Sequence, residues 1–173
     1  MVNLALPSIG RDLGVSIESS RWVVQAFLLA VAVLLLPAGR VGDLVGHGRV
    51  YLAGFALFGA TSFLCGAAGS FPVLAAGRAL QGAGGAMVMA TGPALLTTSF
   101  PSTQRGRALG IVGVWGNVGM ALVPFLVGLF NVLIGWRGGL VVVGVFSILL
   151  GTASYFARYS VQKGKDEMET VPL

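Results

Sequence analysis

Apolar residues fill the chain in long unbroken runs, at about 22–39, 50–71, 73–100, 108–136 and 138–157, separated by short polar breaks. Each run is near or above the ~20 residues a helix needs to cross a bilayer. The runs are continuous, not alternating ten-residue segments, which predicts α-helices in place of barrel strands. The third and fourth exceed the span length, so tilt or frayed ends are expected. The break that organises the rest is Gly39-Arg-Val-Gly-Asp43-Leu-Val-Gly46-His-Gly-Arg49, with four glycines, one carboxylate and two arginines. It predicts a tight turn at a membrane surface, with Asp43 placed to cap the helix that follows.

The remaining segments fit around these runs. Val2–Ile9 is apolar but too short to span, so it either lies on the surface or ends a span. It has neither the basic leader nor the apolar length of a signal peptide. Residues 10–21 are polar and lead to Trp22, whose ring suits the headgroup level, so they read as an outer loop. A short outer turn is expected around Ser70-Phe71-Pro72 and an inner loop at 101–107. From 159 to 173 the chain is polar and is expected to be disordered.

Composition turns this pattern into a class. The chain is 55% hydrophobic and 10% charged, whereas a soluble domain carries about a quarter charged residues. The solvent must be lipid, and the class is all-α integral membrane protein. The net charge of +5 does not point to nucleic acid, because the basic residues bracket the spans. Arg40, Arg49, Arg105, Arg107, Arg158, Lys163 and Lys165 fall on one side; Arg11, Arg21 and Arg137 fall on the other. The positive-inside rule then puts the Gly39–Arg49 turn and the C-terminus in the cytoplasm, with the plasma membrane as the expected location.

Candidate chemistry is sparse. Cys65 and His47 are the single cysteine and histidine, so no intrachain disulfide, bis-histidine haem or histidine-rich metal site is expected, and no cofactor. No nucleophile–base pair lies within a run, and the glycine-rich segments lack P-loop spacing, so an enzyme is not expected. Arg78 stands about six residues inside the third run, with Gln81 one turn on along the same face. A charge at that depth costs ~2.5–3.5 kcal/mol on insertion scales. It either snorkels to the outer surface or faces a polar interior, and the second reading is preferred. Gly82, Gly84 and Gly85 beside it allow a neighbouring helix to come close.

Asp43 with Arg40 and Arg49 is either a cap among positive-inside charges or a latch whose contacts change with conformation; Gly39, Gly42 and Gly46 complete that loop. In the fourth run Gly110, Gly113, Gly116 and Gly119 form a smooth stripe for helix packing. Pro124 then removes a backbone donor and is expected to bend the helix, with Gly128 beyond it. Gln25 and Asn117 are candidate polar linings for a substrate path. None of the six acidic residues (Asp12, Glu18, Asp43, Asp166, Glu167, Glu169) lies inside a run. The chain therefore carries no obvious intramembrane proton acceptor.

In order and spacing, several of these stretches resemble the major facilitator superfamily, specifically its fourteen-span drug:proton antiporters. Gly39–Arg49 resembles that family's signature loop between helices two and three. Arg78-Ala-Leu-Gln81-Gly82-Ala-Gly84 resembles its fourth-helix motif, and Val2–Ile9 is similar to the end of its first helix. Trp22-Val-Val-Gln-Ala-Phe27 resembles its second-helix opening, and Phe100-Pro101 with Arg105-Gly-Arg107-Ala-Leu-Gly110 its inner loop before helix five. The resemblance covers about residues 2–137.

It implies half of a major facilitator fold, with five full transmembrane helices plus a stub of the first. Residues 1–158 would be a partial six-helix half and 159–173 a cytoplasmic tail. It implies alternating access between two halves, exchange of small molecules for protons, a proton-coupling role for Arg78 and a gating role for the Asp43 loop. A second half-transporter or a homodimer would complete the cavity, with the bilayer and a small-molecule substrate as the other partners. The alternative is a truncated, non-transporting membrane protein, inert or binding a full-length transporter. The sequence departs from the family pattern at Leu44, His47 and Gly48 in the loop, and at Val123 and Val127 in the fifth-helix motif.

Overall fold

A computed structural model describes the backbone of residues 2–169. Within that range it describes the side chains except those of 2–5, 17, 120, 123–128, 130–132 and 157–169. Five helices follow one another: α1 (Val2–Leu13), α2 (Ile17–Val45), α3 (His47–Gly66), α4 (Phe71–Ser99) and α5 (Arg105–Glu169). α5 is broken once, at Gly135, whose φ of 71° and ψ of 173° lie outside the helical region. Its two arms, 105–134 and 136–169, therefore count as separate rods. The five apolar runs fall largely on α2, α3, α4 and the two arms of α5, the second running past the end of α3 at Gly66 and the fourth across Gly135. By length and apolarity, Glu18–Val45, His47–Gly66 and Leu133–Phe156 could each cross a membrane. Helices are the expected solution, because lipid offers no partner to an unpaired backbone amide or carbonyl.

Three boundaries differ from the sequence reading. The expected outer loop at 10–21 is a tight junction. α1 runs to Leu13, and α2 begins at Ile17 behind an N-cap at Ser16, whose hydroxyl accepts from the Ser19 amide at 3.1 Å. The expected turn at Gly39–Arg49 contracts to Gly46 alone, with α2 helical through Val45. Gly46 has φ 97°, a backbone that a side chain would strain. The backbone of α5 leaves helical geometry at Gly135, eleven residues beyond Pro124. There a residue with positive φ reverses the chain direction in a way proline cannot. Past 159, helical backbone continues to Glu169, where Lys163/Glu167 and Lys165/Glu169 have the i,i+4 spacing that favours helix. Residues 170–173 lie outside the described part.

α4 is the centre of the packing. α2 runs beside it in the same direction, and α3 beside it in the opposite one. The contacts are made through glycine, as expected where van der Waals approach of backbones drives association. Gly82 lies against α2: a Cβ there would sit 2.5 Å from the Phe27 carbonyl oxygen. Gly84 points the other way, into α3: a Cβ there would sit 2.7 Å from the Phe58 nitrogen and 2.9 Å from the Gly54 oxygen. The second arm of α5 packs on the far side of α3, where Gly59 meets Ile148 and Gly66 meets Val141. There Ser147 donates to the Phe55 carbonyl at 3.1 Å.

The end of the bundle opposite Gly46 is closed by an apolar cluster of Ile9, Val23, Cys65, Ala68, Leu74, Trp136 and Leu140. Trp136, next to the break at Gly135, donates its indole N–H to Asp12 Oδ2 at 2.8 Å, and the Arg137 guanidinium lies 4.8 Å over its ring. This is a tie from the first helix to the hinge of the last. Trp136→Phe keeps the ring and loses the bond, and should lower stability by about 1–2 kcal/mol. Asp12→Asn, which keeps an acceptor, should cost less. Thermal denaturation of the purified variants in detergent reads the difference, and equal shifts would remove the bond from the account.

Candidate functional site

Arg78 is the charged side chain placed deepest in this packing, 8% exposed. Its Nε donates to the Val23 carbonyl of α2 at 3.3 Å, and its Nη1 donates to Gln81 Oε1 one turn along α4. Gln81, fully buried, passes the chain on: its Nε2 donates to Ser62 Oγ of α3 at 2.5 Å, and Ser62 donates to the Phe58 carbonyl at 2.7 Å. The Phe27 ring lies 4.6 Å from the guanidinium carbon, which allows cation–π attraction. So one arginine of α4 is tied directly to α2 and, through Gln81, to α3. No buried side-chain nitrogen or oxygen among the described residues lacks a partner.

The preferred interior-facing geometry for Arg78 is the one observed, and the snorkelling geometry is not. Its partners among the described residues are neutral: a carbonyl, a carboxamide and a ring. The local sequence makes this possible. Gly77, Gly82 and Gly84 bring the three backbones close enough for side chains of ordinary length to meet, a Cβ on Gly77 falling 2.7 Å from the Cys65 sulfur.

The loop constellation is arranged differently from expectation. Asp43 does not cap α3, whose N-cap Gly46 has no side-chain hydrogen bond. Instead Asp43 Oδ1 lies 3.3 Å from His47 Nε2, one turn on across the Gly46 junction. Arg49 Nη1 reaches the Val45 carbonyl at 3.5 Å, and Arg40 is exposed. Asp43 therefore pairs with the histidine and not with either arginine among the described contacts. The junction at Gly46 brings His47, the first residue of α3, back against the last turn of α2. Gly42 is buried here, where a Cβ would meet Thr91 of α4 at 2.9 Å and the His47 ring at 3.3 Å. Gly39 is more loosely placed, near Ala90.

The other candidates do not gather around Arg78. Gln25 is exposed on α2. Asn117 is exposed and donates to its own helix at the Gly113 carbonyl, 2.9 Å. Gly113, Gly116 and Gly119 have no neighbouring atom within 4 Å of a built Cβ, so the close approach expected of that stripe is not made by any described helix of this chain. The surroundings of Pro124 and Gly128 lie outside the described residues. Sequence reasoning did not place Ser62, Phe27 or the Val23 carbonyl beside Arg78, nor pair Asp12 with Trp136. Only Ser62 carried a signal, as a hydroxyl in an apolar run. Among the described residues no group of three or more His, Cys, Asp or Glu side chains could hold a metal ion.

Comparison with known proteins places the whole chain. The family model described as Major Facilitator Superfamily matches residues 1–172. The cephamycin export protein of Amycolatopsis lactamdurans is 43% identical over 143 residues, covering 82% of this chain and 29% of that protein. The puromycin resistance protein of Streptomyces alboniger is 41% identical over 138 residues, 79% of this chain and 27% of its own length. The riboflavin transporter of Clostridioides difficile is 32% identical over 154 residues, 87% of this chain and 34% of that protein. The chain thus spans about a third or less of these relatives' length.

Proposed function

The chain belongs to the Major Facilitator Superfamily and is an integral membrane protein; from that premise we propose that it supplies the N-terminal half of a multidrug-efflux carrier of the fourteen-span antiporter type. In this reading α2, α3, α4 and the two arms of α5 are five full spans, and α1 is the end of another. The half exports small molecules in exchange for protons by alternating access. The turn at Gly46 and the C-terminus face the cytoplasm of a plasma membrane. Relatives named for cephamycin export and puromycin resistance favour antibiotics of that size as substrates.

The observation that carries the reading is the buried Arg78 network. A permanent charge held between three helices by neutral ligands is costly and marks a functional path more often than a structural one. None of the six carboxylates of this chain lies inside an apolar run, so the exchanging proton rides on a group outside this stretch of sequence. The complementary half of the carrier, of different sequence and on the same or another polypeptide, would bring it. That half also has a surface to cover: the outward side of α2, with Leu28, Val33, Leu36 and Leu44 exposed, and the glycine side of 105–134 with Trp115 exposed. Gly39, Arg40, Gly42, Asp43, Gly46 and Arg49, with His47 paired to Asp43, form the gate between inward and outward states.

The test is puromycin accumulation in bacteria stripped of their own efflux pumps. Expression of the chain should lower accumulation, and a protonophore should restore it. Crosslinking in the same membranes should show the chain paired with a second copy or a longer transporter. Unchanged accumulation with abundant, inserted protein would favour a non-transporting relative instead.

A further inference from the structure

The ends of α4 and of the first α5 arm on the Gly46 side enclose an open groove of about 350 Å³. Its lining has a direction. Gln104 and Arg107 stand at the end where α4 finishes and α5 begins, while Leu96, Ile111 and Val112 lie about a turn further into the apolar zone. From Arg107 to Ile111 is four residues, roughly 6 Å along a helix axis, so the wall passes from charged to apolar over about the depth of a headgroup boundary. Arg105 is already engaged, its Nε donating to the Phe100 carbonyl at 3.1 Å. Arg107 is exposed in the groove wall. No acidic residue occurs anywhere between Asp43 and Asp166, so the lining holds a cation and no carboxylate.

We propose that this groove seats an anionic phospholipid of the adjacent leaflet, with its phosphate against Arg107 and Gln104 and an acyl chain along Leu96, Ile111 and Val112. A guanidinium beside a carboxamide is a donor set for phosphate oxygens. The apolar floor continues in the direction an acyl chain takes from its headgroup. Juxtamembrane arginines are attracted to anionic lipid in general; what the groove adds is a single place for the chain. The proposal does not depend on transport, nor on which side of the membrane is cytoplasmic.

The test places the full chain in nanodiscs of equimolar phosphatidylglycerol and phosphatidylcholine with matched acyl chains. Lipids retained after gentle detergent extraction are then counted by native mass spectrometry. Phosphatidylglycerol should be retained in about fivefold preference. Arg107→Gln should bring that preference close to parity, in line with the attraction of about one basic residue. Ile111→Trp, which fills the floor from an exposed position, should lower retention of either lipid, and Arg11→Gln at the opposite end should change neither. No preference in the unaltered protein, or a preference that survives Arg107→Gln, overturns the seat. Equal loss in the Arg107 and Arg11 variants reduces it to a diffuse charge effect and overturns it as well.

Discussion

Replacing Gly84 with valine should leave little folded protein to purify. A Cβ at that position would sit 2.7 Å from the Phe58 nitrogen and 2.9 Å from the Gly54 oxygen, both backbone atoms of α3. Backbone in the middle of a helix cannot rotate aside as a side-chain tip can, so the two helices must separate along their contact. Overpacking of a close-packed site costs about 1–3 kcal/mol even where neighbours can adjust. Here they cannot, and separation also pulls Gln81 from Ser62 and unties α3 from the Arg78 network. Against a typical total of about 5–15 kcal/mol, that is a large loss. Gly113→Val is the matched control, because a Cβ there meets nothing within 4 Å. Size-exclusion profiles and melting curves in detergent should show the Gly84 variant aggregated or strongly destabilised and the Gly113 variant close to unaltered. Similar behaviour of the two would mean that α3 and α4 do not meet as described.

That contrast also marks how far the sequence could be read. The all-helical class was legible, because a bilayer leaves few alternatives to a 20-residue helix. Arg78 and Gln81 were legible as a pair because one turn of helix puts them on one face. Their partners were not: Val23 and Ser62 lie 55 and 19 residues from the atoms that reach them, and only the crossing of three helices brings them in. The Gly39–Arg49 stretch looked like a loop because glycines and charges interrupt an apolar run. In the structure the same glycines serve a helix, with Gly42 removing a Cβ that would strike Thr91. The stripe at Gly113, Gly116 and Gly119 was expected to receive a neighbouring helix. Periodicity says nothing of which helix covers it, and no described helix of this chain does. His47 entered the sequence reading as a metal ligand to be excluded and as a departure from the family's loop, since its pairing with Asp43 depends on the backbone geometry at Gly46.

Arg78→Ala should abolish proton-driven export while leaving a protein that inserts in the membrane. Truncation removes the bonds to the Val23 carbonyl and to Gln81 and the contact with Phe27. Leaving a buried acceptor unpaired costs about 1–3 kcal/mol, enough to soften the α2–α4 contact but small beside the glycine packing that holds the helices together. Charge and shape can be separated by two further changes. Arg78→Lys keeps the charge but not the planar fork that reaches Val23 and Gln81 together, so a reduced rate should remain if the positive charge itself is what export requires. Gln81→Ala keeps the arginine but cuts its link to Ser62, and should slow export less than removing Arg78. Initial rates of puromycin uptake into inverted vesicles under an imposed pH gradient give the ranking: unaltered protein, then Gln81→Ala, then Arg78→Lys, then Arg78→Ala at background. Melting curves on the same preparations keep loss of fold apart from loss of transport. Wild-type rates in Arg78→Ala, still collapsed by a protonophore, would move the coupling away from this residue and leave Arg78 as a packing group alone. A charge-dependent ranking would instead fix it as the element of this half against which a proton-carrying group of the other half works.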